Sequence, residues 1–262
     1  MRPEKVPVKR GGRIKILKKA IVIGASSGIG RALAKELAAH GYEVGLAARR
    51  TALLEELQKE IISKTYIKKI DISDVIPAQK LLRELIDEMG GADLIVINSG
   101  ISVTNKDFRA EPELETIAVN VSGFTAMMNV AVNYFLEKGF GHIVGISSIA
   151  GIRGAAPAPA YNASKAFVSN YMEGMRQKLS GTKITVTDIR PGFVATPLIE
   201  GHEWAFWTVP PEIAVGQICR AIRKKKKVAY VPKRWYFVAQ FLKIVPEFLY
   251  NWGYNRIFCG KE

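Results

Sequence analysis

The chain has 262 residues, 48% hydrophobic and 24% charged, which is enough to bury one large core and excludes wholesale disorder. No run approaches the ~18 to 20 uninterrupted apolar residues that span a bilayer, and the basic stretch from Met1 to Lys19 lacks the apolar core of a secretory signal, so a cytoplasmic location is expected. The net charge of +14 sits at the ends: residues 1–19 hold 8 basic and 1 acidic, residues 220–262 hold 11 and 2, and the 19 basic and 21 acidic residues between them leave the body at −2.

Charge placed this way suggests docking on an anionic surface rather than a nucleic-acid-binding body, so no nucleic-acid partner is expected. Along the chain the expectation is a basic N-terminal extension over 1–17, one α/β domain over 18–232 and an aromatic, basic tail over 233–262. Short apolar runs predict strands over 20–24, 43–47, 66–70, 93–98, 142–147, 183–189 and 228–231. Helical spacing between them predicts helices over 29–39, 52–63, 76–89, 112–137, 161–179 and 211–223. Alternation of this kind implies right-handed βαβ units and a Rossmann-like, doubly wound parallel sheet of about seven strands.

Directly after the first strand, Gly24-Ala25-Ser26-Ser27-Gly28-Ile29-Gly30 opens a helix. Glycines there allow a tight turn and close backbone approach, so the helix N-terminus can receive a pyrophosphate; alone the turn is a weak signal, and its place between strand and helix strengthens it. At the end of the second strand, where NAD-binding folds place an acid on the ribose 2′-hydroxyl, this chain has Ala48-Arg49-Arg50. A guanidinium binds a 2′-phosphate in a bidentate way, so the cofactor expected is NADP(H); the plain alternative is a solvated arginine pair. Asp71, after the third strand, either accepts the adenine amino group or caps the following helix.

Farther on, Tyr161 and Lys165 stand four residues apart at the start of a predicted helix and share a face. A neighbouring ammonium favours the phenolate, so Tyr161 can exchange a proton with an alcohol or carbonyl oxygen. Ser148, 13 residues earlier at the carboxyl edge of the fifth strand, can hold that oxygen; Ser147 is the alternative, and the interval favours Ser148. A lone Tyr-x-x-x-Lys is common in helices and carries meaning only in company.

That company resembles the short-chain dehydrogenase/reductase family over roughly residues 18 to 232. Gly24-x-x-x-Gly28-x-Gly30 is similar to its glycine motif, and Asn98-Ser99-Gly100 to its Asn-Asn-Ala-Gly segment, with Ile97 in place of the first Asn. Asn120, Ser148 and Tyr161-x-x-x-Lys165 match the catalytic set in order and spacing. The resemblance implies that Ser148 positions the substrate oxygen, Tyr161 transfers its proton, Lys165 lowers the Tyr161 pKa and binds the nicotinamide ribose, and Asn120 holds a relay water. It also implies a cofactor site of Gly24, Ser26, Ser27, Gly28, Ile29, Gly30, Arg49, Arg50, Asp71, Ile72, Asn98, Ser99 and Gly100. Tyr161 and Lys165 complete that site with Pro191, Gly192, Val194 and Thr196 near the nicotinamide. Homo-oligomers are the family's habit, so one is expected. The competing reading, a redox-sensing or scaffold subunit that binds NADP(H) without turnover, is opposed by the intact Asn120, Ser148, Tyr161 and Lys165.

Between Thr196 and Pro211, Trp204, Phe206 and Trp207 accompany His202 and Glu203. The aromatics suggest a pocket for a hydrophobic or lipid-like carbonyl/alcohol substrate, or else pack a lid onto the core; His202 needs no catalytic role. Cys219 and Cys259 have no metal spacing, so reduced thiols and no metal are expected. From Pro232 to Trp252 apolar residues surround nearly a whole helix, with Lys233 and Arg234 at its start. This segment either lies peripherally in an anionic inner membrane surface or forms a subunit interface, and the Lys224 to Lys227 run favours the membrane or is a solvated loop.

Overall fold

The computed structural model describes residues 8–10, 13–15, 18–105, 107–199, 206–254 and 256. Strands β1 (Val8–Arg10) and β2 (Arg13–Lys15) pair antiparallel as a separate two-stranded sheet. The main body then runs β3 (Lys18–Ile23), α1 (Gly28–Ala39), β4 (Tyr42–Ala48), α2 (Thr51–Glu60), β5 (Thr65–Lys69), α3 (Val75–Glu88) and β6 (Leu94–Ile97). It continues through α4 (Ala110–Ile117), α5 (Phe124–Lys138), β7 (Phe140–Ile146), α6 (Pro159–Lys178), β8 (Lys183–Pro191), α7 (Pro211–Arg223) and β9 (Val228–Val231), and ends with α8 (Trp235–Ile244) and α9 (Glu247–Tyr254).

All seven strands β3 to β9 pair in parallel, in the order β5-β4-β3-β6-β7-β8-β9. The sheet is buried on both faces because its residues alternate between two cores. Ile21 and Ile95 face one layer with Leu82, Phe124, Phe135 and Met172; Val22 and Val96 face the other with Leu33, Leu57, Ile218 and Ile222. Each fully buried side chain of this size contributes about 1.5 to 3 kcal/mol, so the two layers fix the strand order that positions the loops.

Two expected helices differ from the observed ones. The span expected over 112–137 is divided: α4 ends at Ile117, a wider π-helical turn covers Ala118–Gly123, and α5 follows. That turn swings buried Asn120 onto the main chain of Ile101, and single π turns of this kind concentrate at functional sites. The tail forms two helices rather than one, because Pro246 cannot continue the α8 hydrogen-bond ladder and Val245 before it is extended. Packing does not stop at Pro232: Trp235 and Ala239 are buried against Ile149.

Candidate active site

The chain leaves β3 toward β4 and β5, then returns to the other side of β3 as β6. At such a reversal the carboxyl ends of neighbouring strands splay apart and leave a crevice. The glycine turn lies there. Gly24 has φ of +89°, and a Cβ on it would come within 2.6 Å of the Ser99 nitrogen; one on Gly30, in the first turn of α1, would come within 2.0 Å of the Gly24 carbonyl oxygen. Asn98 Nδ2 donates to that same carbonyl at 3.0 Å, and Ser99 N donates to Ile23 O at 3.0 Å, so the β6 end braces the turn. Ser27, the α1 N-cap, makes no side-chain cap bond, and half-buried Ile29 packs the helix onto the core. First-turn N–H groups left in this way, over a cradle any side chain would fill, fit a dinucleotide pyrophosphate.

At the end of β4, Arg50 Nη2 donates to Ser26 Oγ at 3.1 Å and to Ser27 Oγ at 2.8 Å, which puts a guanidinium on the lip of the turn. Arg49 is exposed, with Nη1 3.9 Å from Asp71 Oδ2. Asp71 Oδ1 accepts from Ser73 N at 3.0 Å and from Ser73 Oγ at 2.7 Å. It therefore closes a local turn, and Asp74 rather than Asp71 occupies the N-cap of α3. Ile72 beside it is buried. From the far side, Thr196 reaches Gly28, and Val194 is fixed by a bridge to Val209.

The reacting groups converge where β7 and β8 end. Ser148 Oγ accepts from Ala150 N at 3.1 Å, donates to Pro191 O at 3.4 Å and lies close enough to Tyr161 to favour its phenolate. Helix α6 begins at Pro159, two residues before its expected start, with proline at the position where a missing N–H is harmless; Tyr161 therefore sits in its first turn. One turn on, buried Lys165 donates from Nζ to Ile146 O at 3.0 Å and lies 5.8 Å from the centre of the Tyr161 ring. Gly100 faces both Lys165 Nζ and Asn120 Oδ1. Asn120 accepts from Ile101 N at 2.9 Å and donates to Ile101 O at 2.8 Å and Ser164 Oγ at 2.9 Å.

Burial raises the Tyr161 pKa, and the Ser148 hydroxyl pulls it back. Burial takes Lys165 down to about 8, opposed by the charge of Asp188. At Tyr161 the upward effect of burial is the larger, while Lys165, one of whose N–H groups goes to Ile146 O, stays 5.8 Å from the ring centre. The Ser147 hydroxyl, the alternative to Ser148, donates to Asp188 Oδ1 with Ile189 O also within 3.1 Å.

Asp188 is the residue that pattern reasoning passed over. It is 0% exposed in β8, accepts from Ser147 Oγ and from Arg190 Nε at 2.7 Å, and Arg190 goes on to Tyr230 OH at 3.2 Å. A carboxylate next to a buried isoleucine in a strand was the available signal. Trp235 is the second such residue: it lies against Gly192 and packs with Phe193, Phe206 and Trp207 at ring distances of 5.3, 5.2 and 6.0 Å. His202, Glu203, Trp204 and Cys259 fall outside the described residues. Burial pushes the Cys219 thiol up to about 12, which leaves it unreactive, and among the described residues no side chains cluster to hold a metal.

Comparison with known proteins agrees with this geometry. Residues 18–203 match the family model described as short chain dehydrogenase. An uncharacterized oxidoreductase of Myxococcus xanthus is 40% identical over 184 residues, covering 68% of this chain and 73% of that one. Another from Mycobacterium tuberculosis is 30% identical over 235 residues, covering 87% and 92%. Among solved structures, a short-chain dehydrogenase/reductase of Burkholderia phymatum in complex with NAD has a TM-score of 0.79 at 20% identity, covering 86% of this chain and 92% of that one. A 3-ketoacyl-(acyl-carrier-protein) reductase of Brucella melitensis complexed with NADH has a TM-score of 0.74 at 24% identity, covering 81% and 95%.

Proposed function

This chain belongs to the short-chain dehydrogenase/reductase family of oxidoreductases, and on that premise we propose that it interconverts a hydrophobic carbonyl and its alcohol with NADP(H), using Tyr161 as the acid/base. The observation that carries this reading is the meeting of Ser148, Tyr161 and Lys165 at the carboxyl edge, beside a glycine cradle that fits a pyrophosphate. When bound, the nicotinamide supplies or accepts the hydride at the substrate carbon. In the reducing direction Ser148 Oγ holds the carbonyl oxygen and Tyr161 gives it the phenolic proton, so the alkoxide never stands free. Lys165 keeps the resulting phenolate beside an ammonium and reaches the ribose hydroxyls. Asn120 retains an acceptor position on Oδ1, from which it orders the water that returns a proton to Tyr161.

For the 2′-phosphate, the support is Arg50 on the lip of the turn, exposed Arg49 next to it and the lack of an acid at either position. The nucleotides named in the two structural neighbours are NAD and NADH, so the arginine pair is where this chain's preference is decided. The same reading makes the protein a homo-oligomer working in the cytoplasm, peripheral to the inner face of a membrane; among the described residues no helix is long and apolar enough to cross one. The test is a screen of carbonyls for NADPH oxidation by the full chain and by Tyr161→Phe. Turnover by the first and not the second is expected; equal turnover by both removes Tyr161 from its role.

A further inference from the structure

Resting on the reading of a hydrophobic carbonyl substrate, we propose that α8 and α9 dock the carboxyl edge onto an anionic lipid surface, and that the substrate is a membrane-dissolved carbonyl or alcohol admitted beside Trp235. Helix α8 has two apolar faces. One buries Trp235 and Ala239 against Ile149, with Phe193 and Tyr230 alongside. Trp235 also abuts Gly192, and Ile149 directly follows Ser148, so this face walls the site that holds the reacting oxygen.

The other face is exposed. Phe237, Phe241, Ile244, Phe248 and Trp252 are 74, 61, 79, 70 and 62% exposed. Phe237, Phe241 and Ile244, spaced by four and three residues, form one stripe on α8, and Phe248 and Trp252, four apart, extend the exposed apolar surface onto α9. The junction is fastened to the site loop: Arg153 Nη1 donates to Val245 O at 3.0 Å, and Tyr250 OH donates to Gly154 O at 2.8 Å. Movement of the stripe therefore moves the loop that follows Ser148.

Charge selects the occupant. Within residues 233–256 the basic residues are Lys233, Arg234, Lys243 and Arg256, against the single acid Glu247. Arg234 lies 5.1 Å from the Trp207 ring centre and Arg256 5.5 Å from that of Trp252, the paired cation and indole that suit headgroup depth. A second copy meeting this face in twofold fashion would set these cations against one another, whereas anionic headgroups complement them. A helix pair lying in the interface buries the stripe without spanning, and opens the Trp235 wall onto the acyl region.

The experiment uses the full chain with NADPH, vesicles of phosphatidylcholine alone or mixed equally with phosphatidylglycerol, butanal in water and hexadecanal in the vesicles. Co-sedimentation with the phosphatidylglycerol vesicles is expected. Phe241→Glu with Ile244→Glu should weaken it about tenfold, lower the hexadecanal rate in step and leave the butanal rate unchanged. Both positions are exposed, so folding is preserved. Butanal turnover with the chain left in the supernatant overturns the docking and leaves the hydride reading standing. Vesicle binding with neither probe reduced overturns the hydride reading and the substrate assignment with it. A double variant that changes oligomeric mass while the hexadecanal rate holds makes the stripe a subunit contact and overturns the proposal.

Discussion

The two edges of the seven-stranded sheet both bury ionisable groups, yet treat them differently. At the carboxyl edge Lys165, Asp188, Ser148 and Asn120 sit within a few residues of a crevice lined by the glycine turn, and burial brings Lys165 down to about 8. At the amino edge His142 is also buried, bonds to Thr187 Oγ1 at 2.8 Å, and is held down to about 4 by desolvation and the charge of Lys225. Nearby, Lys138 Nζ pairs with Asp93 at 2.6 Å, and Lys19 N donates to the other oxygen of that carboxylate at 3.0 Å. The amino-edge groups satisfy one another and steady the strand starts; at the carboxyl edge Lys165 Nζ and Asn120 Oδ1 face Gly100, beside Ser148 and Tyr161, where the proposed function puts the substrate oxygen. Burial alone does not mark a site, and the difference is whether the polar atoms meet each other or a crevice.

The largest effect should come from the carboxyl edge and fall on rate alone. Tyr161→Phe removes the proton donor and should lower kcat by about 10² to 10⁴ while the NADPH Kd and Tm stay near native. A parallel loss of nucleotide affinity would make Tyr161 a structural support instead. Next in size, Asp188→Asn should cost about 3 kcal/mol in denaturant unfolding, because it leaves Arg190 buried with a weakened partner. The same change removes the charge that opposes the fall in the Lys165 pKa, so the alkaline limb of kcat should move to lower pH. An unmoved limb would separate Asp188 from the chemistry and make it purely a stabilising group.

His142 gives the amino-edge counterpart. Its folded pKa of about 4 lies below the ordinary 6.5, so between these values the unfolded chain takes up a proton that the folded chain refuses. Stability is therefore fully present above about pH 6.5 and is lost as pH falls toward about 4, by up to about 3 kcal/mol. His142→Gln should flatten this acid limb in urea unfolding while leaving the pH profile of kcat untouched. If the kcat profile shifts too, the two edges are coupled and the contrast between them fails.

Much of this contrast is readable from the sequence. The alternation of apolar runs gives all seven parallel strands, because residues buried on both faces leave a continuous signal, and 228–231 and 211–223 coincide with β9 and α7. Ser148, Tyr161 and Lys165 come together as their spacing requires. Asp188 was passed over because strand periodicity does not say where a carboxylate finds Ser147 just past the end of β7 and Arg190 on its own strand. Nor does local spacing reveal that Trp235 folds back over Gly192, or that Asn120 lies in a π turn, since both depend on contacts with distant segments.

A smaller effect tests the cofactor half of the carboxyl edge. Arg49→Asp should reduce a preference for NADPH over NADH by at least about tenfold, or about 1.4 kcal/mol, when the two are titrated separately. Equal affinities for both nucleotides in the native chain would remove the 2′-phosphate from the proposal while leaving hydride transfer intact.

The smallest effect is expected where sequence placed the most charge. Lys224 to Lys227 precede β9, whereas Lys233 and Arg234 follow it, and in a parallel sheet those positions lie at opposite edges. Four strand residues separate them by roughly 13 Å along the strand. That exceeds the ~8 Å screening length at physiological salt, so the four exposed lysines contribute little to a surface touching the carboxyl edge. They therefore do not assist the α8–α9 face in the way their closeness in sequence suggests. Replacing all four with serine should leave kcat, the NADPH Kd and co-sedimentation with phosphatidylglycerol vesicles near native, and change stability by at most about 0.5 kcal/mol. Reversing Lys233 and Lys243 to glutamate should instead weaken vesicle binding by at least about 30-fold, since each of the two charges lost near an anionic surface contributes on the order of 1 kcal/mol. If the serine variant loses vesicle binding and the glutamate variant keeps it, the membrane meets the amino edge, and the site opens away from the lipid rather than into it.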